Sequence, residues 1–396
     1  MRRSQAGEEQ GAVGVVDLRA EAVVDLAAFR SNIERLRAAA PTSQLMVVVK
    51  ADAYGHGAAT CAREARAAGV PWLGTALPGE ALALRADGDR GRLLTWLHSP
   101  GQDFAPLVAA EVDISVGARW ALDGVVATGG PARVHLKVDT GLGRGGASRE
   151  DWPALVAAAR RAERDGVVRV VGIWSHLSCA DDPTCDCTAR QIAAFEEACA
   201  VARAAGLDPE LRHLANSAAT LLTPAAHYDL VRPGLAAYGL SPAPAVATAA
   251  GFGLRPALTL RARLSAVKHV PAGHTVSYGH ATATRRPTAL GLVPLGYADG
   301  VPRGAGRSAE VSVGGRRVGI LGPVAMDQFV VDLTGLDASA GDEVVLFGPG
   351  ADGEPTAEDW ARAAGTIGYE IVTRLGSRLA RRYTAESATG WSGCSG

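Results

Sequence analysis

The chain lacks any apolar run approaching the roughly 18 residues that a membrane-spanning helix requires, so a membrane protein of that kind is excluded. It also lacks a charge excess. Forty Lys and Arg stand against 41 Asp and Glu, a net charge of -1, and binding nucleic acid through its phosphates needs a basic face. Nor does it have the composition of a disordered chain, since 47% of residues are hydrophobic and 20% charged, the usual globular mix. Cysteine is scarce, at six in 396 residues. The opening Met1-Arg2-Arg3-Ser4-Gln5 has no apolar stretch behind its arginines, so it reads as a loose tail and not as a secretory signal. Together these predict a cytoplasmic enzyme in a reducing compartment, with two or three domains or one barrel and a smaller partner.

What the chain does have is rhythm. Apolar strand-like runs at Leu45–Val49, Trp72–Thr75, Leu93–Leu97, Val112–Val116, Val134–Val138, Val167–Trp174, Leu211–Leu214 and Leu230–Arg232 alternate with alanine-rich helical stretches. These helices fall at 58–68, 79–86, 103–110, 118–127, 149–164 and 188–205, after a first helix over 22–40. About eight such units predict a (β/α)8 barrel. Ser241-Pro242-Ala243-Pro244 opens a linker-like stretch, and the segments beyond it are strand-rich. They include Ala257–Val270, a hairpin turn at Gly314-Gly315 and one helix at Ala357–Ala364. The expected organisation is an α/β chain: a tail over 1–13, a barrel over 14–250, a mostly β domain over 251–384 and a tail over 385–396. A short strand at 15–19 is expected to pair with the second domain.

Two motifs invite readings that the sequence does not support. Residues 141–146, Gly-Leu-Gly-Arg-Gly-Gly, spell the dinucleotide fingerprint G-x-G-x-x-G. No ribose-binding acid follows at the end of the next strand, which runs into Ser175-His176. Cys179, Cys185, Cys187 and Cys199 crowd into about twenty residues, yet the C-x-x-C pairs of structural zinc sites are missing. They read as ordinary thiols, and no metal is expected.

The chemistry concentrates at Val47-Val48-Val49-Lys50-Ala51-Asp52-Ala53-Tyr54-Gly55-His56-Gly57. A lysine directly behind a buried strand is either a solvated rim residue or an amine of lowered pKa suited to bonding a carbonyl. The strand pattern alone leaves both open.

The segment resembles the pyridoxal-phosphate (PLP) lysine motif of the alanine racemases, fold type III. The resemblance continues through His135–Arg144, His213-Leu214-Ala215-Asn216-Ser217, Val231-Arg232-Pro233-Gly234-Leu235, Val276-Ser277-Tyr278-Gly279-His280, Gly296-Tyr297-Ala298-Asp299-Gly300, Ala325-Met326-Asp327-Gln328 and Ile367-Gly368-Tyr369-Glu370. It implies that Lys50 carries PLP and is one of two catalytic bases. Tyr278, donated across a head-to-tail homodimer, is the other, with His176 beside it. Tyr54, Ser217, Tyr369 and the amides of Gly234 and Leu235 are implied to hold the phosphate. Asn216 also belongs to the cofactor site, and Arg232 faces the pyridine nitrogen. Arg144 meets the cofactor's phenolic oxygen and the substrate carboxylate. Tyr297 and Tyr369 are implied to narrow the mouth, with Met326 offering a backbone amide and Asp327 orienting its loop. Lys137 matches a lysine that can be carbamylated. Ala325 departs from the family, where cysteine is common. The expected activity is interconversion of L- and D-alanine for peptidoglycan. A racemase of another small amino acid such as serine, a fold-type III decarboxylase and a PLP-binding protein with little turnover are the alternatives.

Overall fold

The computed structural model describes residues 19–280, 282–306 and 308–385. Eight parallel strands form a nearly closed barrel: β2 (Gln44–Val48), β3 (Trp72–Thr75), β4 (Arg92–Thr95), β5 (Asp113–Val116), β6 (Ala132–Lys137), β7 (Val168–Trp174), β8 (Leu211–His213) and β9 (Leu230–Val231). Their order runs from β8 through β2 to β9. The remaining seam is closed by Asp229 N–H donating to Arg212 O at 3.1 Å and Arg232 N–H donating to Ala215 O at 2.9 Å. The strands are apolar on both faces because helices cover them outside and side chains fill them inside. Met46, Trp72, Leu94, Val171, Leu211 and Leu230 pack the interior, with Trp96 against them.

A polar line shares that interior. Arg92 and Arg133 bind the two oxygens of Asp113 at 2.8 and 2.7 Å, Asp113 meets His135 at 3.2 Å, and His135 meets His213 at 2.8 Å. Burial pushes the Asp113 carboxyl up, but His135 and Arg92 outweigh it and hold it below the carboxylate range.

The second domain is strand-rich. Its larger sheet has the order β16-β15-β18-β10-β1-β19, built from β1 (Ala20–Asp25), β10 (Leu258–Arg263), β15 (Glu310–Val313), β16 (Arg316–Gly319), β18 (Glu343–Phe347) and β19 (Ala380–Thr384). β11 (Ala266–Val270), β14 (Thr288–Val293) and β17 (Phe329–Asp332) form a second sheet, and β12 (Thr275–Val276) pairs with β13 (Thr282–Ala283).

The strand expected at 15–19 and the tails at 1–13 and 385–396 lie outside the described residues, apart from Arg19 and Ala385. Two other expectations change. The strand that joins the second domain is instead Ala20–Asp25, within the stretch read as helix 22–40. The helix starts only at Leu26, because the Asp25 carboxylate caps it, accepting from Ala28 N–H at 2.9 Å. The single strand expected over Ala257–Val270 is two strands in different sheets. The chain switches at Leu264 and Ser265, whose N–H groups bond to Asp342 O and Leu292 O, both at 2.9 Å. The Gly314-Gly315 turn stands as expected, with φ of 56° and 74° joining β15 to β16.

Candidate active site

The barrel residues of the candidate site lie at or just past the C-terminal ends of the strands, the face where barrel chemistry is built. Lys50 follows β2, Trp96 follows β4, Lys137 ends β6 and Arg144 sits in the loop beyond it. His176 follows β7, Asn216 and Ser217 follow β8, and Arg232, Gly234 and Leu235 follow β9. Tyr369 reaches the same place from the helix Gly368–Thr373 of the second domain, its ring 6.2 Å from that of Tyr54.

Lys50 is fixed by unusual backbone. Ala51, Asp52, Ala53 and Tyr54 all have φ between 51° and 55°, a left-handed turn directly after the lysine. Such residues are costly away from glycine, so the surroundings must hold the turn in place. The Glu80 carboxylate does part of this, accepting from Ala51 N–H at 2.7 Å and from Ala76 and Leu77 N–H at 2.9 and 3.0 Å. Gly55 and Gly57 close the turn at φ 81° and 96°. A Cβ on Gly55 would fall on Val372 O and one on Gly57 on the Tyr383 hydroxyl, so glycine is what lets the second domain press against this loop.

The mouth is dense in cations. The Lys50 ammonium lies 5.9 Å from the ring centres of both Tyr54 and Trp96. Burial lowers its pKa, and Arg144 lowers it further against a smaller opposing pull from Glu80. Lys137 lies 4.5 Å over Trp174, and burial with Arg144 and Arg232 draws it down to about 8. Arg232 is buried, donates to Ser175 O at 2.8 Å and Leu214 O at 3.3 Å, and meets His213 at 3.3 Å. Burial brings it to about 9, which leaves it charged at neutral pH. His176 is pulled down to about 3 by burial and then by Arg232, Arg144, Lys137 and Lys50, so it is neutral there. Such a surplus of positive charge suits anionic groups.

A cluster of mutually bonded polar groups lies at the neighbouring strand ends. Ser217 Oγ accepts from Gly234 N–H at 2.9 Å and from Ala236 N–H at 3.2 Å, at the start of the short 3-10 turn Leu235–Tyr238. A Cβ on Gly234 would land on the Tyr54 hydroxyl. Asn216 caps the helix Ser217–Leu222, its Oδ1 accepting from Ala219 N–H at 3.0 Å. Burial, with a smaller push from Asp181, raises the Tyr369 hydroxyl to about 12, and burial raises Tyr54 beyond that, so both phenols stay protonated donors.

The glycine-rich run after β6 is no dinucleotide loop. Asp139 Oδ1 already accepts from the N–H groups of Gly141, Leu142 and Gly143 at 2.9, 3.0 and 3.2 Å. The next helix begins only at Trp152, so these amides are not a helix N-terminus.

Tyr278, Tyr297 and Met326 lie apart from this group. They are exposed at 72%, 40% and 53%. Tyr278 enters none of the hydrogen bonds or ring contacts found around Lys50 among the described residues. It stands on a 3-10 turn between β12 and β13, flanked by Ser277 at φ 63°. Tyr297 and Met326 neighbour one another, with Tyr297 N–H donating to Ala325 O at 3.0 Å and Ala298 N–H to Met326 O at 2.9 Å. Asp327 pairs with Arg378 at 2.8 Å. Sequence reasoning missed Glu80, Asp139 and Trp174. Glu80, an acid two residues after Pro78 and ahead of an alanine-rich run, belonged to a helix-start signal of proline followed by an acid in the first turn. Trp174 carried none beyond closing its strand.

Fold and site define a two-domain barrel enzyme with a desolvated amine among cationic and hydroxyl side chains at the strand ends. Residues 24–242 match the family described as alanine racemase, N-terminal domain, and 257–383 its C-terminal domain. An alanine racemase of Streptomyces coelicolor is 58% identical over 93% of this chain and 97% of its own length, and one of Frankia casuarinae is 54% identical over 97% and 100%. The crystal structure of alanine racemase from D-cycloserine producing Streptomyces lavendulae superposes with a TM-score of 0.92 at 54% identity, over 93% of this chain and 98% of that one. The chain belongs to the alanine racemase family and is an isomerase.

Proposed function

We propose that the chain interconverts L- and D-alanine with PLP as cofactor, by a two-base mechanism in a head-to-tail homodimer. The observation that carries this is Lys50, a desolvated amine on a rigid strand end beside a serine, glycine and tyrosine cradle. Ser217, Tyr54, Tyr369 and the amides of Gly234 and Leu235 would hold a phosphate, which requires the Gly234 N–H to turn from Ser217 Oγ to the anion, and Asn216 orders the helix behind. Arg144 would meet the cofactor's phenolic oxygen and the substrate carboxylate, with a Met326 amide as a second donor. Bound to the substrate's amino group, PLP spreads over its ring the electron pair left behind when the Cα proton departs.

The chain's residues do the rest. Lys50 Nζ, its pKa lowered, accepts or returns a proton on one face of Cα. The Tyr278 hydroxyl of a neighbouring subunit serves the opposite face, with neutral His176 beside it. Arg232 would face the ring nitrogen; a charged guanidinium only donates, so it would leave that nitrogen unprotonated, with only moderate electron withdrawal at Cα. Tyr297 and Tyr369 narrow the mouth for a small side chain, and Asp327 steadies the Met326 loop. D-alanine made in the cytoplasm then supplies peptidoglycan. The test is Lys50→Ala: racemisation and the cofactor's visible absorbance are both expected to vanish. Retention of both refutes the assignment.

A further inference from the structure

The loop between β7 and the helix Cys187–Ala204 gathers side chains that racemisation leaves unused. The sulfurs of Cys179, Cys185 and Cys187 lie within 4.8 Å of one another, all half-buried. Two turns achieve this. Asp182 N–H donates to Cys179 O and Cys185 N–H to Asp182 O, both at 3.2 Å, and the Thr188 hydroxyl ties back to Cys179 O at 3.4 Å. The Asp182 carboxylate fixes the bend by accepting from Thr184 N–H at 2.9 Å and its hydroxyl at 2.6 Å.

The sulfurs also have donors aimed at them. Cys187 N–H points to Cys185 Sγ at 3.4 Å, and the Arg190 guanidinium donates to Cys187 Sγ at 3.2 Å. Donors of this kind suit thiolate sulfur, and Arg190 is itself held in place by an ion pair to Asp186. Three sulfurs at about 2.3 Å from a zinc ion stand roughly 3.8 Å apart, so side-chain rotation of under about 1 Å brings these into place. A disulfide would use two of the sulfurs and give no reason for the convergence of the third.

We propose that Cys179, Cys185 and Cys187 form a three-thiolate site for a zinc-class divalent cation, with its fourth position left to water. Binding exchanges three S–H protons for one ion. The site then carries one net negative charge, opposite Arg190. The spacing Cys-x5-Cys-x-Cys is not that of a zinc ribbon, which is why the sequence reading set it aside. The role is a clasp. Leu177, Ser178 and Asp181 of the same loop line the cavity that Arg144, His176 and Tyr369 share. Gln191 binds the loop to that cavity, accepting from Ser178 N–H at 2.8 Å and donating to His176 O at 3.1 Å. An ion in the loop would stiffen one wall of the mouth without touching the reacting atoms.

The test uses the tag-free, full-length holoenzyme, reduced, stripped by chelator and titrated with Co2+ and then Zn2+. Expected are one Co2+ per chain, a near-ultraviolet thiolate-to-cobalt band that Zn2+ bleaches, and a Zn2+-dependent rise in Tm. All three disappear in Cys185→Ser and in Cys187→Ser and persist in Cys394→Ser. Alkylation of the wild type, mapped by peptide mass, should show Zn2+ shielding Cys179, Cys185 and Cys187, so the answer does not depend on the variants folding. Absence of the cobalt band in reduced wild type, a band that survives the Cys185→Ser and Cys187→Ser double variant, or alkylation unaffected by Zn2+ overturns the proposal.

Discussion

Around Lys50 the chain supplies its own surroundings: a left-handed turn, the Glu80 carboxylate, two aromatic rings and a ring of cations. Around Tyr278 it supplies little. That phenol stands 72% exposed on a short turn of the strand-rich domain, between two-residue strands. One region reads as a finished half-site, the other as a group held out for use elsewhere. Burial thus separates side chains that their own chain completes from one left facing outward, and that contrast is what supports the subunit-shared site proposed above.

The strongest way to break this contrast is to remove the phenol. Tyr278→Phe is expected to lower racemisation by roughly 10²–10⁴-fold, the usual contribution of a positioned acid or base. Because the L/D equilibrium constant is one, kcat/KM must fall equally in both directions, and the asymmetry is read in D2O instead: with Lys50 as the remaining base, Cα–H exchange should persist for one enantiomer and be lost for the other. Equal exchange of both enantiomers would dismiss the two-base scheme.

Complementation sharpens the same point. Lys50→Ala and Tyr278→Phe chains are each expected to be inactive alone. Refolded together, half the dimers are mixed, and each mixed dimer has one site with both bases if the site is shared. About a quarter of wild-type activity should return. No recovery, with mixed dimers demonstrated by mass, would place both bases in one chain.

Much of the barrel half was readable from the sequence, because a run such as Leu45–Val49 buried on both faces cannot hide its period. The mouth was readable only in part. Lys50, Arg144 and Arg232 stand out as charges at strand ends. The turn that aims Lys50 does not, since Ala51, Asp52 and Ala53 are poor candidates for positive φ and only tertiary contacts hold them there. β1 was misplaced because Val23 and Leu26 fit a helical period as well as a strand, and the Asp25 cap between them decides the boundary. The crowding of cysteines is plain in the sequence, but its spacing matches no familiar metal motif, and the three sulfurs meet only through two turns that the spacing does not announce.

Gly234→Ala probes the cradle side of the comparison. Its Cβ would collide with the Tyr54 hydroxyl. Overpacking of this kind costs about 1–3 kcal/mol, or roughly 5–150-fold in PLP affinity, measured by absorbance titration of the apoenzyme. Undiminished affinity would mean that Tyr54 and Gly234 are not part of a phosphate site.

His56 is fully buried beneath the mouth, and burial lowers it to about 4 despite its backbone partners Tyr54 O and Ala53 O. The unfolded chain takes up that proton near 6.5 and the folded chain only near 4. Stability is therefore lost as pH falls from about 6.5 towards 4, by about 2 kcal/mol from this group at pH 5. His56→Phe should flatten the pH dependence of the urea midpoint by that amount. An unchanged slope would mean that His56 is charged in the fold.

The smallest effect serves as the control for all the others. Asp25 caps the first helix through Ala28 N–H at 2.9 Å, and it sits at the end of β1, where the chain leaves the second domain's sheet for the barrel. Asp25→Ala removes that cap, a loss of about 1 kcal/mol, which lowers Tm by roughly 2–4 °C in a domain of this size. Its kcat and KM at 25 °C should match the wild type, because the fold remains fully populated there. If this variant instead loses activity in step with Tyr278→Phe, then stability and not a missing base explains both, and the contrast between the finished mouth and the offered phenol no longer follows from the kinetics.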